Sequence, residues 1–576
     1  MELLSGNEAI ARGAWEAGAT VGAGYPGTPS TEMLETFATY DDVYAEWCTN
    51  EKVALEVGLG ASLAGARAIC GMKHVGVNVA ADPLYSGAYT GVNGGFVLLA
   101  ADDPGMYSSQ NEQDSHYHAM ASHIICLDPS DSQEALEFTK AAFDLSERFD
   151  TIAMIRSTVR ISHTKCPVEV HEKIAYERKP YEKNVNKYVM MPAFARGRRK
   201  VLLERIAQVT EWANECELNR VVRGSADFGV ICAGAAYQHV KAALPEANIL
   251  KLGITYPIPD KLVQDFAKSV SKVYVVEEGS EYLTQAIKAI GVSVSDAPCG
   301  LPKDGELSFS VVAAAFGKPV AVPFPTPEGI PNRTPAPCWG CPHRVVFKEI
   351  TRTKAIVTGD IGCYTLGSLP PLNGMDTNVD MGASISMAHG FELVRGGEDR
   401  PIISVIGDST FAHSGLSSLT STVYNNGTGN VFILDNRTTA MTGAQGNPFN
   451  GVTLQNRPTK ELDIFTIVKA LGVDDVQKVN PQNVKEVRAA VKSAVEAKDR
   501  LSVRIFQSPC QLLLKTSNPP YHVTDDCRGC GTCLGLGCQA LSKEAGCDTV
   551  KIDQTQCIGC GQCSQYCSFG AIVQGE

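Results

Sequence analysis

No apolar run in this sequence is long enough to cross a bilayer. The longest uncharged stretch, PLYSGAYTGVNGGFVLLAA from Pro83, is interrupted by glycines and polar residues and reads as a buried strand-and-turn region. Positive charge is also in deficit. The 51 Lys and Arg stand against 63 Asp and Glu, a formal net charge of −12, which argues against nucleic acid as a partner because phosphate binding needs clustered cations. The one basic stretch, ARGRRKVLLER from Ala195 to Arg205, reads as a solvated linker face. The N-terminal MELLSGNEAIARG has no basic segment followed by an apolar one, so no signal peptide is expected. No low-complexity tract or short-period repeat occurs. These absences predict a cytoplasmic chain with neither a membrane nor a nucleic-acid partner.

Cysteine, by contrast, is abundant: the chain has 20, and without an export signal they point to metal or redox chemistry in a reducing compartment. Eight fall in two runs near the end, CRGCGTCLGLGC from Cys527 to Cys538 and CIGCGQCSQYC from Cys557 to Cys567. Thiolates at C-x-x-C-x-x-C spacing wrap one [4Fe–4S] cube, and in two-cluster ferredoxins the more distant fourth cysteine ligates the other cube. That rule assigns Cys527, Cys530, Cys533 and Cys567 to one cluster and Cys557, Cys560, Cys563 and Cys538 to its neighbour. Two departures stand out: the first run has four residues before its last cysteine instead of three, and Ser568 stands where a proline usually follows. A zinc ribbon or a disulfide knot fits less well, since zinc sites use two C-x-x-C pairs and lack a third cysteine at the same step. A ferredoxin-like α+β module passes electrons one at a time, so the rest of the chain should contain their source. Exposed clusters are easily oxidised, which suits an oxygen-poor cell.

At 576 residues, 44% hydrophobic and 20% charged, the chain should form several domains of closely packed α/β layers. The expected units are residues 1–165, a charged connector over 166–200, a second α/β unit over 201–320, a third over 337–514 after a Pro-rich break, and the cysteine-rich module over 520–576. Ser30 and Thr31 are plausible helix caps ahead of TEMLETF. The GAGYPG of Gly22 to Gly27 fits G-x-G-x-x-G, but Pro26 and Pro29 spoil the tight helix entry and no acidic residue follows in the expected strand context, so a dinucleotide site is not expected.

In the third unit ISVIGDSTFAHSG ends a strand at Gly407-Asp408-Ser409, and NVFILDNRTTAMTG ends another at Asp435-Asn436. Ligands of open α/β sheets bind at such carboxyl ends. A hard divalent cation wants a carboxylate, an amide oxygen and a main-chain carbonyl, with diphosphate oxygens in its remaining positions. The spacing resembles the G-D-G…N-N signature of thiamine diphosphate enzymes, with Ser409 in place of Gly and Asp435 in place of Asn. That signature implies Mg²⁺ on Asp408, Asn436 and the carbonyl of Thr438. Two ordinary βα loops are the alternative. The cofactor also needs a carboxylate against its aminopyrimidine ring, supplied by a second domain; CTNEKVALEVGLGAS offers Glu51, with Glu56 as competitor.

GYPGTPST, TNEKVALEVGLGAS, MKHVGVNVAADPL, SSQNEQDS, CWGCPHR, TGDIGCYTLG, MGASISMAHGF and the ferredoxin tail, in this order, resemble the large (alpha) subunits of the indolepyruvate ferredoxin oxidoreductases, within the 2-oxoacid:ferredoxin oxidoreductase superfamily. The resemblance implies thiamine diphosphate-binding folds on either side of a transketolase C-terminal-like domain. It favours Glu51 as the catalytic carboxylate and implies cofactor contacts at Tyr25, Pro26, Thr28, Gly407, Asp408, Ser409 and Asn436. The reaction it implies is oxidative decarboxylation of an arylpyruvate to arylacetyl-CoA, with electrons leaving through the clusters to ferredoxin. A smaller beta subunit in an α₂β₂ heterotetramer is implied as partner. The SSQNEQ segment, Ser108 to Gln113, is placed near the active-site mouth; His116 stands where Arg is expected in many relatives, and the loop histidines His116, His118 and His123 either touch substrate or are ordinary surface or core residues. A related proximal [4Fe–4S] cluster would use Cys338, Cys341, Cys363 and Cys510, and the alternative is four small buried residues. Three other readings stand beside this one: another 2-oxoacid:ferredoxin oxidoreductase, a non-oxidative thiamine-dependent decarboxylase or ligase with structural clusters, and an electron-transfer subunit on an inactive thiamine fold.

Overall fold

Short apolar runs of this sequence become parallel strands, and the amphipathic runs between them become the crossover helices that such a sheet requires. The computed structural model describes residues 1–320, 327–330, 334–394, 400–514, 518–544 and 546–575. The chain forms two compact units, Met1–Thr326 and Pro327–Glu576.

In the first unit a seven-stranded sheet runs in the order Ile254–Tyr256, Ile125–Leu127, Ala153–Thr158, Phe96–Asp102, Ala68–Lys73, Val21–Gly24, Tyr44–Trp47. Every pair is parallel except the first. The strands Ala68–Lys73 and Phe96–Asp102 are buried at every residue, as in a parallel sheet covered on both faces. A four-stranded sheet follows, ordered Lys272–Val276, Phe228–Ala233, Asn248–Leu252, Arg220–Val222, with the last strand antiparallel. Ile254–Tyr256, next in sequence, crosses over to edge the first sheet.

Three local expectations need correction. The Pro83 stretch begins as helix, not strand: Leu84, Gly87 and Ala88 recur at helical spacing on the buried face of Ala81–Thr90. The basic stretch is helical too, within Pro192–Ala213, and two of its arginines turn inward. Arg198 Nε donates to the carbonyl of Tyr89 (2.7 Å) and Arg205 Nη1 to that of Ala88 (2.9 Å), while both guanidinium groups reach Asp150. They satisfy last-turn carbonyls that the Ala81–Thr90 helix cannot bond itself. Ser30 and Thr31 do not cap the helix Thr31–Phe37; Ser30 Oγ donates to the Gly27 carbonyl and Thr31 Oγ1 accepts from the Gly27 N–H, which closes the preceding loop.

The second unit is built on six parallel strands in the order Thr377–Asn378, Ile356–Gly359, Ile402–Gly407, Asn430–Asp435, Ser502–Gln507, Asp475–Val479. Alternate residues of each strand feed opposite cores: Val405, Phe432 and Phe506 pack with Phe347 and Val487 on one side, Ile406, Ile433 and Ile505 with Phe411 and Val468 on the other. Among the described residues the cysteine-rich tail has two short antiparallel pairs, Tyr521–Val523 with Ile572–Gln574 and Leu541–Ser542 with Lys551–Ile552, joined by loops and 3₁₀ turns. Among the described residues no helix is long and apolar enough to cross a membrane.

Candidate active site

In the first unit the strand Val21–Gly24 delivers the loop that holds Tyr25, Pro26 and Thr28; Tyr25 and Pro26 are buried and Thr28 is half-buried. Glu51 opens the helix Glu51–Leu63, whose N-cap Asn50 accepts from the Val53 N–H (3.0 Å). Its side chain is buried and lies over Gly76, where a β-carbon would fall 2.6 Å from Cγ and Oε1, so only glycine allows that approach. Glu56 is different. It is exposed and pairs with Lys52 one helical turn away, an ordinary surface arrangement.

The Ser108–Gln113 segment is moored to the step before that glycine. Lys73 Nζ donates to the Ser108 carbonyl, and His74 Nε2 lies 3.2 Å from the carbonyl of Asn111. Asp103 closes the segment on itself by accepting from the N–H groups of Tyr107 and Ser108 and from Ser109 Oγ.

His116 is not a loop residue. It begins the helix His116–Ser122, is buried, and stacks on Tyr282 with ring centroids 4.4 Å apart. Nδ1 meets Asp114 (2.6 Å) and Nε2 meets Asp128 (3.1 Å). Arg156 joins the same group, bonding Asp102 (2.7 Å), Asp114 (3.2 Å) and Asp128 (3.2 Å). Burial alone would lower the imidazole, but the two carboxylates outweigh it and hold His116 up at about 9; burial would raise Asp114 and Asp128, but His116 and Arg156 hold both below the usual carboxylate range. His116, Cys126 and Asp128 offer three ligand atoms within 4.8 Å, yet this cluster already carries two protein cations. His118 meets Asn78 and His123 meets Tyr256, so neither is brought to Glu51 by a described contact.

In the second unit Gly407 ends its strand and Asp408 opens a short helix, continued through the π-turn Phe411–Gly415 into Leu416–Tyr424. π-turns of this kind recur at functional sites. Asp408, Ser409, Asn436 and Thr438 are all buried at these two strand ends. Arg437 between the last two takes φ +66°, a conformation rare for a bulky residue, and directs its own N–H to Asp435 Oδ1 (3.2 Å). Asn436 Oδ1 accepts from the Thr438 N–H (3.1 Å), which leaves a lone pair on that oxygen. Burial first, and the Asp435 carboxylate second, push Asp408 up to about 8, with only the Asn447 amide (3.0 Å) opposing them through a side chain. Asp435 has Arg437 at 3.4 Å and Gln507 at 2.6 Å. Asp408 thus lies in a buried acidic site whose charge calls for a cation, and a divalent metal with oxygen ligands fits it. Asp360, at the end of another strand, is similarly buried, raised to about 7 by burial, and held by Tyr364 and Ser384. Asp435 and Asp360 were not singled out from the sequence as side chains of the site, although both sit at strand carboxyl ends.

In the tail, burial raises Cys533, with Cys530 and Cys567 acting on it as nearby like charges, and burial pushes Cys563 up to about 12, with Cys560, Cys538, Cys557 and Cys533 adding to that. Glycines at Gly529 (φ +60°) and Gly559 (φ +69°) make the matching turns inside the two C-x-x-C steps. The four scattered cysteines converge as well: burial pushes Cys341 up to about 12 with Cys363 and Cys338 contributing, and Cys363 up to about 11 with Cys338 and Cys510 contributing. The Cys510 N–H donates to the Asn436 carbonyl (3.0 Å), next to Asp408's strand end, and Gln562 Nε2 of the tail donates to the carbonyls of Gly340 and Cys341 (3.1 Å each).

Residues 12–218 match the family described as "Pyruvate flavodoxin/ferredoxin oxidoreductase, thiamine diP-bdg", residues 360–505 "Thiamine pyrophosphate enzyme, C-terminal TPP binding domain", and residues 550–573 "4Fe-4S binding domain". The chain is 39% identical to the indolepyruvate oxidoreductase subunit IorA of Archaeoglobus fulgidus over 99% of its own length and 97% of the relative's. It is 38% identical to the subunit of the same name from Thermococcus kodakarensis, over 99% and 96%. A solved 2-oxoglutarate:ferredoxin oxidoreductase from Magnetococcus marinus aligns with TM-score 0.46 and 17% identity over 54% of this chain and 64% of that one. With buried acids and converging thiols where its sequence signatures place them, the chain belongs to the family of indolepyruvate oxidoreductase IorA subunits, thiamine diphosphate- and iron–sulfur-dependent 2-oxoacid:ferredoxin oxidoreductases.

Proposed function

We propose that this chain is the large subunit of an enzyme that oxidatively decarboxylates arylpyruvates, indolepyruvate foremost, to arylacetyl-CoA and CO₂ and passes the electrons singly to ferredoxin. The observation that carries the thiamine chemistry is the buried acid at each expected position: Glu51 against Gly76, and Asp408 beside Asn436 and Thr438. The aryl preference rests on the names of relatives 37–39% identical over nearly the whole chain.

Thiamine diphosphate, when bound, supplies the carbanion that adds to the keto carbon and takes up the electrons left when CO₂ departs. Glu51 holds and moves a proton at the aminopyrimidine ring. Its burial keeps water from competing for that proton. Tyr25, Pro26 and Thr28 shape the loop beside it. Asp408, Asn436 and the Thr438 carbonyl hold Mg²⁺ against the diphosphate, with Gly407 and Ser409 setting the turn. Cys338, Cys341, Cys363 and Cys510 hold a proximal [4Fe–4S] cluster, and the eight tail cysteines hold two more. The Gln562 bonds to the Gly340 and Cys341 carbonyls favour a short path from the first to the tail. A smaller beta subunit completes the enzyme as an α₂β₂ heterotetramer.

The test is anaerobic reduction of methyl viologen by the chain with its partner subunit, over a panel of 2-oxoacids with and without coenzyme A. Indolepyruvate and phenylpyruvate should lead, with arylacetyl-CoA as product. Preference for pyruvate or 2-oxoglutarate would overturn the aryl assignment, and full coenzyme A-dependent activity from the single chain would overturn the requirement for a second subunit.

A further inference from the structure

Lys73 ends the strand Ala68–Lys73 and is only 8% exposed. Buried ammonium groups are normally paired with a carboxylate. Lys73 stands in no ion pair among the described residues, and its one hydrogen bond goes to the Ser108 carbonyl. The acidic group that acts on it, Asp103, already accepts from Tyr107 N–H, Ser108 N–H and Ser109 Oγ. Burial lowers the amine to about 8, which this carboxylate opposes only in part. An ammonium has three protons, so two lack an acceptor among the described residues.

The position matters as much as the shortage. A β-carbon on Gly27 would lie 3.1 Å from Lys73 Cβ, so the stem packs against the Tyr25–Ser30 loop while the head group meets the Ser108–Gln113 segment. The next residue, His74, opens the helix that carries Gly76 under the Glu51 carboxylate. One buried, half-satisfied cation therefore lies between the Tyr25–Ser30 loop and the Ser108–Gln113 segment, three residues before the glycine that meets Glu51. A lone ammonium acts as a point charge on an anion, and an unchanged affinity for thiamine diphosphate in the test below separates a carboxylate from the cofactor's diphosphate.

We propose that Lys73 receives the carboxylate of the 2-oxoacid, its two remaining protons donating to that anion while the Ser108 carbonyl fixes the direction of the amine. This rests on Glu51 being the aminopyrimidine partner. It gives the first unit a substrate-binding role beyond the cofactor loop.

The test is calorimetric binding to the anaerobic complex with its partner subunit, without coenzyme A or electron acceptor, using 3-phenyllactate and its neutral amide 3-phenyllactamide. Loss of a charged hydrogen bond should weaken 3-phenyllactate about 10- to 100-fold in Lys73→Met and Lys73→Gln, with 3-phenyllactamide and thiamine diphosphate held within about twofold. Lys73→Arg should recover most of the lost affinity. Equal weakening of acid and amide in both neutral variants would reduce Lys73 to a loop latch and overturn the proposal, as would unchanged acid binding. Binding does not need turnover, so failure of the Glu51 assignment, read from the rate of Glu51→Gln, remains a separate result.

Discussion

Each unit gathers buried carboxylates at or near the carboxyl ends of its strands, but their electrostatics are opposite. Asp102, Asp114 and Asp128 are matched by Arg156 and His116, and the last two are held below the ordinary carboxylate range. Asp408, equally buried, has an amide and another acid for company and is pushed up to about 8. Burial is the same in both; the supply of cations differs. A cluster that carries its own cations is a clamp, and one that lacks them at Asp408 is where the proposed Mg²⁺ would sit.

The largest effect should come from the acid that belongs to neither group. Glu51→Gln should leave fold and iron content intact and lower turnover by about 10² to 10⁴-fold, the usual contribution of a general acid–base group. Steady-state rates with iron analysis check this. Near wild-type turnover would shift the role to Glu56, whose exposure and pairing with Lys52 make it the weaker candidate. Asp408→Ala probes the contrast itself. Removing an uncompensated buried acid should not unfold the unit, but thiamine diphosphate and Mg²⁺ should be lost on dialysis; retained cofactor would mean that the cation is held elsewhere. By the same logic, Asp128→Ala should leave cofactor content alone and destabilise the first unit by about 3–5 kcal/mol, because Arg156 and His116 would be left underpaired. Denaturant unfolding reads that difference.

The proximal cysteines sharpen the comparison at the level of metal. Iron analysis of the intact chain should give about twelve irons, falling to about eight in Cys338→Ala. A chain that holds about eight irons with or without Cys338 has no third cluster.

How much of this was legible depended on whether the information is local. The tail's eight thiols sit on two C-x-x-C-x-x-C runs, so spacing alone proposes how they divide between two clusters. Asp408 and Asn436 were visible because each ends an apolar strand. Cys363 and Cys510 follow the second and the fifth of the six strands in sheet order, so their approach to each other and to Cys338 and Cys341 depends on the fold and not on local spacing. Ser30 and Thr31 misled because a capping residue and a loop-closing residue have the same composition, and the Pro83 stretch misled because glycine and tyrosine masked a helical apolar spacing. Lys73, inside MKHVGVNVAADPL, and His116, where Arg is expected, stood out only by resemblance; what they touch, Ser108 for one and Asp128 and Tyr282 for the other, is distant in sequence.

The smallest predicted effect follows from the clamp. His116 is held up at about 9, above its ordinary 6.5, so the stability it contributes is fully present below about 6.5 and is lost as pH rises through about 9. The groups facing it cannot replace that change in this window. Asp114 and Asp128 are held below the carboxylate range, Arg156 is raised well above its ordinary value, and burial pushes Cys126 and Tyr282 far up. Thermal unfolding followed from pH 6.5 to 9.5 should therefore show the first unit losing a few degrees. His116→Gln should start lower and lose less across that range, whereas His116→Arg should keep its cation throughout and stay flat where the parent falls. A parent curve that falls no further than that of His116→Gln would mean that the imidazole is neutral in the fold, and Arg156 alone would then hold the three carboxylates together.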